Sequence, residues 1–177
     1  MLVRPARAAD AEAIRQIYNA AVATPFTFDL RPRSLAEQEA WLAQRAGAYA
    51  TIVAVEVASG GGEGDVVGFA SLSPYRDRPA YSTTVEDSVY VREDQRGKGV
   101  GKLLLVELMG LAEGHGFHAV MARIVGQNEP SIALHRAVGF DHVGIEREVG
   151  RKFRRWLDVV ELQLLIDDLD DEPPADA

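Results

Sequence analysis

The chain of 177 residues has no cysteine, which excludes disulfides, thiolate metal ligands and cysteine nucleophiles. Histidine is scarce too. There are four, and none forms an i, i+4 pair beside a glutamate, which argues against a zinc site. No apolar run approaches the roughly 18 residues of a membrane span, and the opening MLVRPARAAD lacks the apolar core of a signal peptide. The expectation is a metal-free cytoplasmic protein with no membrane partner. Positive charge is in deficit: 19 Lys and Arg against 27 Asp and Glu leave −8, which argues against nucleic acid as a partner.

What is present is the make-up of an ordinary globular domain, 47% hydrophobic and 26% charged, long enough to bury one core. The sequence divides into a domain over residues 1–166 and a tail over 167–177. The tail carries Asp167, Asp168, Asp170, Asp171, Glu172 and Asp176 around Pro173 and Pro174, and reads as a solvated, disordered terminus.

Along the domain, Leu2–Pro5 is extended. Ile14, Ile17, Tyr18, Ala21 and Val22 then mark an amphipathic helix stopped by Pro25. Ser34 and Glu37 form a capping-box signature for a second helix running towards Ala46. Strands are expected over 51–57 and 66–73, joined by a glycine-rich loop. A long alternating strand runs from Tyr81 to Val91, with Ser82, Thr84, Glu86, Ser88 and Tyr90 on one face and Val85, Asp87, Val89 and Val91 on the other. A helix ending near Gly114, a strand over 119–125, a helix opened by Pro130 and closed at Gly139, and strands over 141–149 and 156–166 complete the chain. The order β-α-α-β-β-β-α-β-α-β-β predicts an α/β (α+β) domain, one mixed sheet with helices on both faces.

Between the alternating strand and the next helix lie Gln95, Arg96, Gly97, Lys98, Gly99, Val100 and Gly101. Glycines let backbone N–H groups approach an anion, the helix start adds free donors and a favourable dipole, and Arg96, Lys98 and Lys102 add charge. A pyrophosphate is the expected guest. No Lys-Ser/Thr pair follows, so this is not a nucleotide-hydrolysing P-loop, and the spacing is not that of a dinucleotide fingerprint.

The run from Arg96 to Gly101 resembles the pyrophosphate loop of the GCN5-related N-acetyltransferases (GNAT). The run from Asn128 to Phe140 is similar to that family's second cofactor segment. The stretches 17–22, 84–91 and 156–159 resemble the phosphinothricin and methionine-sulfoximine acetyltransferase branch. The resemblance implies a GNAT fold with a splayed strand pair, acetyl-CoA as co-substrate, and a small amino-acid-like amine as acceptor. Acceptors of another kind (an aminoglycoside, a polyamine, a protein amine) and a non-catalytic acyl-CoA sensor are the alternatives. It further implies that the backbone of Val89, Tyr90 and Val91 bonds the pantetheine arm, that Arg96, Gly97, Lys98, Gly99, Val100 and Gly101 hold the pyrophosphate, and that Asn128 bonds the arm further along.

An amine must lose its proton before attacking a thioester, and Glu86 stands where the branch places its base. His135, seven residues after Asn128, stands where many members carry a tyrosine that protonates the leaving thiolate. Tyr75, Arg76, Asp77 and Arg78 form a basic turn suited to an anionic acceptor. Phe28, Val85 and Asp87 complete the expected acceptor contacts, Asp87 pointing away from Glu86 if the strand is regular. Lys152, Phe153 and Trp156 surround the last hairpin, which in relatives reaches the neighbouring subunit's site, so a homodimer is expected.

Overall fold

The computed structural model describes residues 1–45, 47–58 and 60–166. The acidic tail and Ala46, towards which the second helix was expected to run, lie outside the described residues. The elements are β1 (Leu2–Pro5), α1 (Ala11–Val22), α2 (Leu35–Ala43), β2 (Thr51–Val57), β3 (Glu63–Pro74), β4 (Thr84–Val91), α3 (Val100–Gly114), β5 (Ala119–Val125), α4 (Glu129–Arg136), β6 (Asp141–Lys152) and β7 (Arg155–Leu165). This is the order that periodicity predicts. Among the described residues no helix is long and apolar enough to cross a membrane.

Local chemistry explains the boundaries. The Ser34 Oγ accepts from the Glu37 N–H at 3.2 Å while the Glu37 carboxylate accepts from the Ser34 N–H at 2.8 Å, so two otherwise orphaned donors at the start of α2 are satisfied. β4 begins at Thr84 rather than Tyr81, because Pro79 opens a single 3-10 turn over Pro79–Tyr81. β3 begins earlier than its hydrophobic pattern suggests: Glu63 pairs with Val57 across the glycine-rich loop. The tip between β6 and β7 is a two-residue turn at Phe153 and Arg154, both at positive φ (49° and 62°) without a glycine.

The seven strands order as β1-β2-β3-β4-β5-β7-β6, all neighbours antiparallel except β4 and β5. Helices α1 and α2 cover one face, packing Ile14, Ile17, Tyr18 and Leu42 on Val53, Val55 and Phe69. Helices α3 and α4 cover the other, with Leu104, Leu105 and Leu108 fully buried on Val67, Val85 and Val120. Each such leucine contributes about 1.5–3 kcal/mol by leaving water.

One glycine permits the close approach of α3. A Cβ added at Gly68 falls 2.9 Å from Leu104 Cδ1 and 3.0 Å from the Tyr90 carbonyl oxygen. Gly68→Ala is therefore expected to cost about 1–3 kcal/mol through overpacking. Urea denaturation reads this as a lower midpoint, and an unchanged midpoint contradicts the close contact.

Candidate active site

The parallel ladder between β4 and β5 is short. It pairs Thr84, Val85 and Glu86 with Ala119, Val120 and Met121, and then stops. β4 continues on β3 as far as Val91↔Gly68, and β5 continues on β7 as far as Val125↔Val159. The two strands therefore part immediately after Glu86. The backbone edges of Val89, Tyr90 and Val91 on one side and of Ala122 to Val125 on the other have no strand between them. Apart from the Val91 carbonyl, which accepts from Arg96 Nε at 3.3 Å, and the Val125 carbonyl, which accepts from the Asn128 N–H at 2.8 Å, their gap-facing polar groups are left to a ligand or water.

The glycine loop lies at the open end of β4. Gly97 and Gly99 hold positive φ (73° and 83°), where other residues are strained, and a Cβ at either meets nothing within 4 Å. The N–H groups of Gly97, Lys98 and Gly99 donate to no backbone carbonyl among the described residues. Val100 and Gly101 sit in the first turn of α3, where N–H groups have no partner within the helix. Arg92 is occupied by Asp94, Asp65 and Glu56, whereas among the described residues Arg96 bonds only the Val91 carbonyl and Lys98 only Gln95, so neither is neutralised by a described carboxylate. Asn128 caps α4 through its backbone, and its side-chain amide has no partner among the described residues. A cradle of free N–H donors and cations beside a strand-wide gap fits a long ligand with a phosphorylated end.

Glu86 sits at the apex of the gap, half-buried, on the α1/α2 face. Burial raises its pKa above the ordinary glutamate value; Arg123 opposes this, and Asp87, Glu161 and Glu146 add to it. Arg123, on the same sheet face of β5, is ion-paired to Glu146 of β6 and lies 3.6 Å from Glu161 of β7. Sequence reasoning missed this cluster. The one signal was a single arginine inside the otherwise apolar strand AVMARIV.

The alternation of β4 sends Val85 and Asp87 to the other face. Both were expected among the acceptor contacts, yet Val85 is fully buried in the α3/α4 core and Asp87 meets His135. His135 is 3% exposed. Its Nδ1 lies 2.7 Å from the Ser131 carbonyl and its Nε2 3.0 Å from Asp87 Oδ2. Both partners are acceptors, so the ring bonds both only as an imidazolium. Burial works against the charged ring, but the hydrogen bond and charge of Asp87, with the Ser131 carbonyl, outweigh it and raise the pKa. Neither nitrogen is free in this arrangement to protonate a departing thiolate, and the structure does not bring His135 together with Glu86.

The remaining expected residues fall into two groups, one around Tyr75 and Tyr81 and one against the β6–β7 hairpin. Tyr75 packs edge-on against Tyr81 with ring centroids 5.4 Å apart, and the Arg76 guanidinium stands 4.9 Å over the Tyr75 ring. Asp77 and Arg78 are exposed. Phe28 lies on β6 so closely that a Cβ at Gly150 would fall 2.1 Å from its Cε1. Lys152 is buried and donates to the carbonyl and hydroxyl of Thr27 at 3.1 Å each, which fixes the segment before Phe28 against the hairpin. A cavity of about 350 Å³ lies away from Glu86, lined by Val125, Gln127, Ile145 and Trp156 among others. A smaller one, about 80 Å³, lies between α1, α2 and the sheet and includes Ser88.

A strand-wide gap with an anion cradle at one end and a carboxylate of raised pKa at the other is the chemistry of an acyl-CoA-dependent N-acyltransferase. The chain belongs to the GNAT acetyltransferase family, whose acetyltransferase domain matches residues 3–160. It is 42% identical over 167 residues, 93% of this chain and 94% of the other, to an L-methionine sulfoximine/L-methionine sulfone acetyltransferase of Pseudomonas aeruginosa. It is 41% identical over 160 residues, 89% of this chain and 91% of the other, to a phosphinothricin N-acetyltransferase of Streptomyces coelicolor. Its fold matches the crystal structure of a GNAT phosphinothricin acetyltransferase from Sinorhizobium meliloti in complex with acetyl-CoA. That match has a TM-score of 0.86 and 39% identity, over 93% of this chain and 88% of that one. The protein is an acetyl-CoA-dependent acetyltransferase.

Because the His135 pKa is raised on folding from 6.5, its stabilisation is fully present below that value and lost as pH rises through the folded one. Asp87→Asn is thus expected to be more destabilising near pH ~6 than near pH ~9. A stability difference that does not vary with pH contradicts a charged pair.

Proposed function

We propose that this enzyme acetylates the α-amine of a small amino acid of the methionine sulfone, methionine sulfoximine or phosphinothricin kind. The observation that carries the mechanism is the position of Glu86, the last β4 residue paired to β5 and a half-buried carboxylate of raised pKa. The names of the relatives support the acceptor class.

Acetyl-CoA supplies the activated acetyl thioester. The loop from Arg96 to Gly101 holds its pyrophosphate, the backbone of Val89 to Val91 aligns the pantetheine arm, and the Asn128 amide bonds it further along. Free amino groups are mostly protonated at neutral pH. Glu86 would accept that proton, directly or through a water, and the neutral amine would attack the thioester carbonyl. Breaking the C–S bond would then release CoA as its thiolate, which would take up the second proton lost by the acetylated nitrogen, directly or by way of solvent. A backbone N–H near Val89 stabilises the oxyanion. The Asp87–His135 pair holds α4, and with it Asn128, against β4. Arg76, in the turn with Tyr75, Asp77 and Arg78, meets the polar end of the acceptor's side chain, and Phe28, against β6, contributes an apolar contact to it.

The enzyme acts in the cytoplasm as a homodimer. Val143, Ile145, Val149, Phe153 and Trp156 on the β6–β7 hairpin are all more than half exposed, an apolar surface that a second copy covers. Light scattering at micromolar concentration is expected to give twice the mass of the chain, and Trp156→Glu to give the monomer. A monomeric wild type contradicts the assembly.

Glu86→Gln is expected to lower kcat/KM for L-methionine sulfone by about 10²–10⁴-fold while leaving acetyl-CoA binding in place. The base works only when ionised, so activity falls as pH drops through its pKa, and the acid limb lies above 4.5. Full activity in Glu86→Gln excludes the role. Activity on polyamines or aminoglycosides but on none of these amino acids excludes the acceptor.

A further inference from the structure

The cavity of about 80 Å³ is lined by Tyr18, Arg33, Trp41, Arg45, Phe69, Ser71, Ser88 and Tyr90. A water takes about 30 Å³ in the liquid, so there is room for a group the size of a carboxylate. Its lining is unusual in what it leaves unused. Ser71 is 1% exposed, and neither its hydroxyl nor those of Ser88 and Tyr90 has a side-chain hydrogen-bond partner among the described residues. Ser71 and Ser88 are cross-strand neighbours, so the two hydroxyls arise side by side from β3 and β4.

Two guanidiniums face them. Arg33 lies 3.8 Å over the Tyr18 ring and is partly neutralised by Asp29 at 3.3 Å. Arg45, 4.0 Å over the Trp41 ring, forms no ion pair with a carboxylate among the described residues. It spends one nitrogen on the Leu72 carbonyl (2.7 Å) and the Ser73 hydroxyl (3.1 Å). The rest of its fork remains for a guest. Burial, and then the neighbouring Arg33, act against its charge.

The place suits one part of an α-amino acid. Ser88 follows Glu86 by two residues on the same face of β4, about 7 Å along the strand. Ser73, which Arg45 bonds, is the register partner of Glu86. In an α-amino acid the nitrogen and the carboxylate share one carbon, so an amine at Glu86 carries its carboxylate a few ångströms away. We propose that this cavity receives the acceptor's α-carboxylate, held by Arg45 and Arg33 with the hydroxyls of Ser88 and Tyr90. The cavity then selects free α-amino acids over amines that lack the carboxylate. This rests on the amino-acid acceptor reading above.

The test compares kcat/KM for L-methionine sulfone and for its α-carboxamide in wild type, Arg45→Met, Ser88→Ala and Arg76→Met. Arg45→Met keeps an apolar stem over Trp41. The ratio of the two substrates is insensitive to the fraction of folded enzyme and, compared between variants, to the different amine basicity of the amide. Wild type is expected to prefer the acid, and Arg45→Met to reduce that preference by about 10–100-fold, as for a charge-assisted pair. Ser88→Ala reduces it less, and the KM for acetyl-CoA does not move. An acid-to-amide ratio unchanged in both variants, or collapsing only in Arg76→Met, overturns the proposal while the acceptor class stands. Wild type that acetylates neither compound overturns both.

Discussion

The site depends on where one ladder ends. β4 and β5 are parallel neighbours for three residue pairs and strangers thereafter, although each keeps its other partner to the end. Hydrogen-bonding groups that a sheet would normally satisfy are thus turned towards a gap whose walls are held from behind by β3 and β7. The gap is rigid because it is framed by ladders rather than by loops. Its apex is fixed by the last pair, Glu86↔Met121, so the carboxylate proposed as the base lies on the same strand as the edge from Val89 to Val91 that borders the gap.

That strand also separates two kinds of charge. Glu86 faces α1 and α2, where burial and nearby carboxylates favour its neutral form, and Arg123 limits the effect. Asp87, one residue on, faces α3 and α4 and bonds the His135 ring, whose pKa it raises. A single-residue slip in β4 would exchange them, placing a carboxylate without its cation in each environment. The Ser71–Ser88 and Phe69–Tyr90 pairs that fix the register are therefore part of the chemistry as well as of the packing.

Much of this was readable from the chain. The Ser34–Glu37 box, the Ala119–Val125 strand and the glycine loop carry their structure in local chemistry, and each lies where the pattern puts it. Glu86 was identified by resemblance, and its face by the period of two. What was not readable depends on partners distant in sequence. Arg123 meets Glu146 across 23 residues, and nothing in either segment announces the other. Arg45 looks like an ordinary residue at a helix end, and that it has no counter-charge among the described residues is visible only once α2 lies on β3. The Asp87–His135 bond was likewise not readable, since alternation turns Asp87 away from Glu86 but does not say which helix lies on that face.

The parted strands also give the sheet two extra borders besides β1 and β6. A bare border invites any extended chain to join it, and outer strands usually blunt that hazard with charge or brevity. Here the two bare borders face each other inside the molecule, with α3 close against one side through Gly68. Only something as slender as a single strand can enter. A filled slot would leave neither border open to pairing by a stray polypeptide.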